Sequence, residues 1–372
     1  MRLSILIGLL LCPLLLISEA AAGSMSDNPS AVWFSSSPLK GEDIVAGHDA
    51  VAFAERLYTI LDAKLFDPSF KAEERGRQRA ELEAALAARP TWTRSEVVDL
   101  VNERLRRLGI SHLRILDPIQ GAAMAALAEQ PPSAEHDAAR AAEPAVSAEV
   151  RDGAVGVLRL RSFFVPQITK AAVDRARARL AGARAIVVDV RGNGGGAGSP
   201  ISYVIEHLLG PDRVISFDRT REGLHRSRPY VVRGYFEDAE NTGAQAEIRL
   251  SEREPYIEWR TRPDAVKDPR PHVVLVNQEC GSACEVFAAA AKENGVPVLG
   301  VRTYGAVLGA GVFKLPWPGY ALIVPVLGTL SPMGRIHEGV GVAPDVEIPE
   351  CHDRPEECLT RAVEIAARIN RS

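Results

Sequence analysis

The stretch Cys280-Gly-Ser-Ala-Cys-Glu-Val286 lies between a short continuous apolar run at 272–276, which reads as a strand, and an apolar run at 286–292, which reads as a helix. Ser282 therefore falls at a strand-to-helix junction. At such a junction a hydroxyl projects into a cleft, and the helix's first N–H groups and positive dipole end face any negative charge that develops beside it. That is the chemistry of a nucleophile. A serine in this position is also a good helix N-cap, a role that needs no catalysis.

Three further features favour the catalytic reading. Ser111-His112 follows a helical pattern that ends near Gly109 and precedes an extended run at 113–116. A histidine there can be a satisfied interior residue. As a general base it has a suitable intrinsic pKa, and it needs a group on its second nitrogen to hold its tautomer. Ser111 or Glu338, directly or in relay, supplies such a group; His337 is the rival base. Asp189-Val-Arg-Gly-Asn-Gly-Gly-Gly196 leaves a buried strand with glycines that let backbone N–H groups approach an anion closely. Its spacing Gly192-x-Gly194-x-x-Ala197 loosely matches a dinucleotide fingerprint, but charged Asp189 and Arg191 stand at the strand's exit. No cofactor is expected.

The chain has 372 residues and a net charge of -4, too small to imply a polyanionic partner. Its arginine runs alternate with apolar residues at helical spacing, so nucleic-acid binding is not expected. The start, Met1-Arg2, an apolar run at 3–17 and Ala20-Ala-Ala22, reads as a cleavable signal peptide over 1–22. The apolar run falls short of the roughly 20 residues that span a bilayer. The mature protein is expected to be periplasmic or secreted, without stable membrane insertion. Four cysteines then remain, Cys280, Cys284, Cys351 and Cys358, an even number where disulfides are permitted. Three connectivities are open. The local pairs are simplest, bracing the Ser282 turn and the approach to the last helix. Zinc at Cys351, His352 and Cys358 would lack a fourth ligand at a recognised spacing, and no metal site is expected.

Along the chain, 23–44 reads as a flexible mature N-terminus and 45–118 as a small helical domain. Thr93 and Glu96 form a capping-box pattern within that domain. Residues 119–149 read as an Ala/Glu/Pro-rich linker, and 150–372 as an α/β catalytic domain of alternating strands and helices. The polar stretch 230–259 is expected to contain a hairpin.

These motifs resemble peptidase family S41, which includes the C-terminal processing peptidases and the tricorn protease core. The resemblance runs from about residue 45 to 347. It rests on 189–196, on 273–305 with its Ser-Ala-x-Glu and Gly-x-x-Thr-Tyr-Gly pieces, and on Gly341-Val-Ala-Pro-Asp345. It implies a ClpP/crotonase-like catalytic domain and a serine peptidase acting on a peptide or protein through an acyl-enzyme. The processing peptidases place a lysine base after Thr-aromatic-Gly, where this chain has Ala306 and Val307. The tricorn-like branch uses a Ser-His-Ser-Glu tetrad, which corresponds to Ser111, His112, Ser282 and Glu338. The resemblance implies an oxyanion site at the N–H groups of Ala283 and of Gly194 or Gly195. No PDZ domain is evident, since about thirty residues between His112 and the core are too few for one. A non-catalytic binding protein on the same fold, or an esterase or amidase for small substrates, is the alternative. The basic loop 219–228 is a candidate for a substrate carboxylate, but it reads more readily as a solvated loop.

Overall fold

The computed structural model describes residues 43–120, 145–164, 168–225, 230–236 and 254–369. The expected signal peptide, nearly all of the mature N-terminal tail and most of the linker lie outside the described residues. The chain begins with β1 (Ile44–Ala46), α1 (Gly47–Lys64), α2 (Ala72–Ala87), β2 (Thr91–Thr93), α3 (Arg94–Arg107) and β3 (Arg114–Leu116). The capping box at the start of α3 is present: Thr93 N–H donates to Glu96 Oε2 at 2.8 Å, and Glu96 N–H to Thr93 Oγ1 at 3.3 Å. The three helices pack their apolar faces into one cluster that continues into strands near the chain's far end, through Phe313, Leu322 and Val324.

There follow β4 (Val146–Arg151), β5 (Val155–Leu160), α4 (Lys170–Arg179), β6 (Ala185–Asp189), α5 (Ser199–Leu209), β7 (Val214–Thr220), α6 (Arg221–His225), β8 (Val231–Tyr235) and β9 (Tyr256–Arg260). The chain then runs through β10 (His272–Val276), α7 (Ala283–Glu293), β11 (Val298–Gly300), β12 (Gly309–Lys314), β13 (Ala321–Leu330), β14 (Val346–Glu347) and α8 (Pro355–Ile369). One sheet has the order β14-β11-β10-β6-β5-β4, parallel except for the antiparallel edge strand β4.

A strand's side chains alternate between faces, so a strand apolar at every position must be covered on both sides. In β6, Ile186 and Val188 join the cluster that includes residues of α4, α5 and α7, while Ala185 and Val187 join the one that includes α8. The α/β architecture read from the alternating pattern is thus the observed one.

The second sheet has the order β12-β13-β7-β9-β8. β13 is long enough to serve three neighbours: β12, β7 beside its end at 327–330, and β3 beside its start at 321–323. The β3 pairing carries residues 111–112 to this sheet. Within the stretch expected to contain a hairpin, β8 and β9 pair in parallel and so are not the two arms of one, while residues 237–253 between them lie outside the described residues. Strands β4, β7 and β12 escaped the sequence reading, since each is short or mixes charged and small residues with apolar ones.

Helix α7 packs against β10 of one sheet and β7 of the other. Every residue from Ala283 to Ala291 is buried, as befits a helix without a polar face between two layers.

The attachment of β3 depends on Asn102 of α3, whose Oδ1 accepts the Ile115 N–H at 2.8 Å. Asn102→Ala leaves that N–H without its partner and is expected to lower unfolding free energy by about 1–3 kcal/mol. Urea titration measures this; a loss below about 0.5 kcal/mol would mean that the tie carries no stability.

Candidate active site

Ser282 stands between β10 and α7 with φ 59° and ψ −124°, a conformation that costs a side-chain-bearing residue about 1–3 kcal/mol. Its surroundings hold it there. The Glu285 carboxylate accepts the Ser282 N–H at 3.3 Å, and Asn193 O accepts the Gly281 N–H at 3.2 Å. Cys280 and Cys284, both fully buried, are joined in a disulfide across the turn with a Cα–Cα distance of 5.4 Å. Ser282 occupies the N-cap position in a capping-box arrangement with Glu285, and its buried Oγ makes no hydrogen bond within normal geometry among the described residues. The Glu285 carboxylate completes the box from the other side.

The glycine turn after β6 presses directly on this elbow. Gly195 has φ 103°, and a Cβ there would lie 2.6 Å from Ser282 Cβ and 2.9 Å from Ala283 N. Only glycine permits that approach. The turn is pinned at its base by Asp189. Burial alone would raise this carboxyl's pKa, but hydrogen bonds and charge from Arg191 hold it low. Arg191 also reaches Pro355 O at the start of α8. Of the two glycine N–H groups expected to face an oxyanion, Gly195's is already donated to Asn193 Oδ1 at 2.9 Å. Those of Gly194 and Ala283 make no hydrogen bond among the described residues.

Ser111, His112 and Glu338, 227 residues apart at the extremes, do come together. Glu338 Oε1 accepts the Ser111 N–H at 2.8 Å, and Oε2 accepts the Ser111 hydroxyl at 2.9 Å. Ser111 Oγ lies 3.0 Å from His112 Nδ1. With its own proton given to Glu338, this oxygen accepts from Nδ1–H, which leaves a lone pair on Nε2. That is the tautomer a general base requires. His112 has φ 63°, another left-handed residue. The ring's loss of solvation, followed by the nearby Arg114 guanidinium, pushes its pKa down to about 3, so it is neutral across ordinary pH. Burial raises Glu338, opposed by the hydrogen bonds from Ser111 and Val307. No hydrogen bond joins His112 to Ser282 in this conformation.

One loop ties the halves together. Glu285, fully buried, accepts from Thr303 Oγ1 at 2.5 Å, Gly305 N at 2.7 Å and Ala306 N at 2.6 Å. The next N–H, Val307's, goes to Glu338 Oε2 at 3.0 Å. The sequence reading quoted Glu285 only within a motif and gave it no role; the available signal was its place three residues after Ser282. His337, the rival base, has its Nδ1 at 3.2 Å from Gly341 O.

Cys351 pairs with Cys358, with a Cα–Cα distance of 4.8 Å, so neither offers a thiolate. In the basic loop, Arg219 pairs with Asp67 at 3.2 Å and Arg221 donates to the carbonyls of Asp62 and Leu65. These two guanidinium groups serve the end of α1. Residues 226–228 of that loop lie outside the described residues.

The profile of Peptidase family S41 matches residues 154–348. The chain is 37% identical over 81 residues to a carboxyl-terminal-processing protease of Picosynechococcus sp., and 39% identical over 103 residues to the chloroplastic carboxyl-terminal-processing peptidase 3 of Arabidopsis thaliana. These segments cover 22% and 27% of this chain, and 19% of each relative's length. The fold is similar to that of a solved photosystem II D1 C-terminal processing protease, with a TM-score of 0.51 and 18% identity over 85% of this chain and 98% of the other.

Glu285 generates a pH prediction. Burial raises its pKa from the ordinary 4.5 to about 7, against the opposing hydrogen bonds from Thr303, Ala306, Gly305 and Ser282. The folded state therefore binds its proton more tightly than the unfolded chain, and this contribution to stability is lost as pH rises through about 7. Glu285→Gln is expected to flatten the fall in unfolding free energy between these limits. Urea titrations across that range give the slopes, and equal slopes in both proteins would remove Glu285 as its source.

Proposed function

The chain belongs to peptidase family S41, and from that premise we propose that it is a serine peptidase with Ser282 as nucleophile and His112 as general base. The observation that carries this reading is the chain of hydrogen bonds from Glu338 through Ser111 to His112, which leaves Nε2 unprotonated. Its complement is the strained turn presenting an unbonded Ser282 hydroxyl. Catalytic hydrogen bonds are commonly long before substrate binds, so the open Ser282–His112 gap is compatible with the role.

In the proposed reaction His112 Nε2 takes the Ser282 proton while Oγ bonds to the peptide carbonyl carbon. The oxyanion that forms is held by the N–H groups of Ala283 and Gly194. Collapse breaks the C–N bond, and the departing amine leaves with the proton from His112. Water, deprotonated by His112, then hydrolyses the ester and returns the proton to Ser282. Glu338, acting through Ser111, orients the ring and supports its positive charge. The apolar Ala306, where the processing branch has its lysine, supports the tetrad arrangement. Two disulfides and the apolar N-terminal run support a signal peptide over 1–22 and a periplasmic or secreted location. Among the described residues no helix is long and apolar enough to cross a membrane.

The test is intact-mass analysis of the mature protein after a fluorophosphonate probe. A stoichiometric adduct is expected, lost in Ser282→Ala and formed about 10²–10⁴-fold more slowly in His112→Ala. Absence of an adduct on the folded protein would favour a binding protein on the same fold. Because His112 is held near 3 rather than at its ordinary 6.5, labelling is expected to stay level as pH falls through 6.5. An acid limb centred there would contradict the assignment.

The disulfide across the elbow gives a second expectation. Reduction of Cys280–Cys284, verified by mass, should slow labelling at least about tenfold by freeing the strained turn. An unchanged rate after verified reduction would show that the elbow holds without it.

A further inference from the structure

Asn193 is fully buried in the glycine turn, and every polar group it carries is engaged. Its N–H donates to Val190 O at 3.1 Å, and its Nδ2 donates to Leu160 O at the end of β5, also at 3.1 Å. Oδ1 accepts the Gly195 N–H at 2.9 Å, and the main-chain O accepts the Gly281 N–H at 3.2 Å. One residue thus joins β5, the glycine turn and the elbow that carries Ser282. The side-chain amide has a single workable orientation, since exchanging Oδ1 and Nδ2 would set donor against donor and acceptor against acceptor.

The bond from Gly281 also sets a direction. The carbonyl of Asn193 and the N–H of Gly194 belong to one planar trans peptide unit and point opposite ways. Tying that carbonyl to the residue before Ser282 therefore fixes where the Gly194 N–H points, and this N–H makes no hydrogen bond among the described residues. The Gly195 N–H, a competing donor from the same turn, is withheld by Oδ1. Gly195 is pressed so closely on Ser282 and Ala283 that the turn and the nucleophile keep one register.

We infer that Asn193 is a positioning residue of the oxyanion site, which holds the Gly194 N–H toward the developing charge and keeps the Gly195 N–H out of it. The inference rests on the serine peptidase reading above. Asn193 touches no reacting atom and acts through Gly194. A donor preset toward charge that appears only in the transition state changes the rate constant and not ground-state binding.

Time courses of inactivation by a fluorophosphonate at several concentrations give kinact and KI for wild type, Asn193→Ala and Asn193→Ser. Asn193→Ala is expected to lower kinact about 10²-fold and to change KI less than about threefold. Asn193→Ser, whose shorter side chain still offers an oxygen to the Gly195 N–H, should recover part of the loss. A residue that only held the turn together would lower the folded fraction, read by urea titration, and leave kinact of the folded protein alone. An unchanged kinact, or a loss of labelling carried by KI, overturns the inference while wild type still labels and the peptidase reading stands.

A second measurement needs neither turnover nor a variant of Asn193, and serves if those variants do not fold. Acetyl-Ala-Ala-Ala, whose terminal carboxylate stands in for the oxyanion, and its C-terminal amide are titrated into ¹⁵N-glycine-labelled Ser282→Ala protein. The Gly194 amide resonance is expected to move with the carboxylate peptide and far less with the amide, while that of Gly195, held by Asn193, stays in place. If wild type forms no adduct, this pattern leaves the inference standing for an anion site, and the peptidase reading alone falls. A Gly195 resonance that moves with the carboxylate, or a Gly194 resonance that answers neither peptide or both alike, overturns the inference.

Discussion

A fully buried carboxylate, Glu285, and a half-buried one, Glu338, share out consecutive backbone N–H groups, and the rest of the site depends on that division. Glu285 takes those of Gly305 and Ala306, and Glu338 takes that of Val307. A carboxylate out of water is tolerated only when its lone pairs are met, and removing one donor leaves much of the desolvation cost uncompensated. The loop after Thr303 therefore cannot shift without leaving one of these groups short of partners. Because Glu285 also holds the Ser282 N–H and Glu338 also holds Ser111, the loop is the common reference from which Ser282 and Ser111 take their positions.

The scaffold around it is arranged so that little can give way. Helix α7 is sandwiched between the two sheets with no polar face. At its N-terminus Ser282 is held in a strained conformation by the disulfide, by Glu285 and by close contact with Gly195. At its C-terminus Glu293 accepts from the Ser331 hydroxyl and the Met333 N–H, at the start of the segment that leads to Glu338. One rigid helix thus relates Ser282 to the loop that orients His112. His112 lies two residues before the short strand β3, which pairs with β13, and the shared apolar cluster of α1–α3 with β12 and β13 fixes that approach.

The candidate site is thus assembled in two halves, joined by the loop at 303–307 but with no hydrogen bond between Ser282 and His112. One is a strained turn with an unbonded hydroxyl and two open N–H groups. The other is a Glu338–Ser111 relay that settles the imidazole tautomer, while burial and Arg114 keep the ring neutral. Membership of peptidase family S41 gives this division a context.

Much of this was legible beforehand, and the boundary is physical. The junction at Ser282, the doubly buried strands β6 and β10, the Thr93–Glu96 capping box and the α/β alternation depend on neighbours a few residues apart, which impose periods of two and 3.6 on any chain that folds this way. Partners across the fold leave no such imprint. Nothing local indicates that Glu285 would collect donors from 303–306, that Asn193 would take the Gly195 N–H, or that β8 and β9 would run parallel. The sequence by itself determined which groups were available and which elements would carry them. Only the tertiary structure decided which donors each buried acceptor met, because that depends on distances closed by packing and not on spacing along the chain.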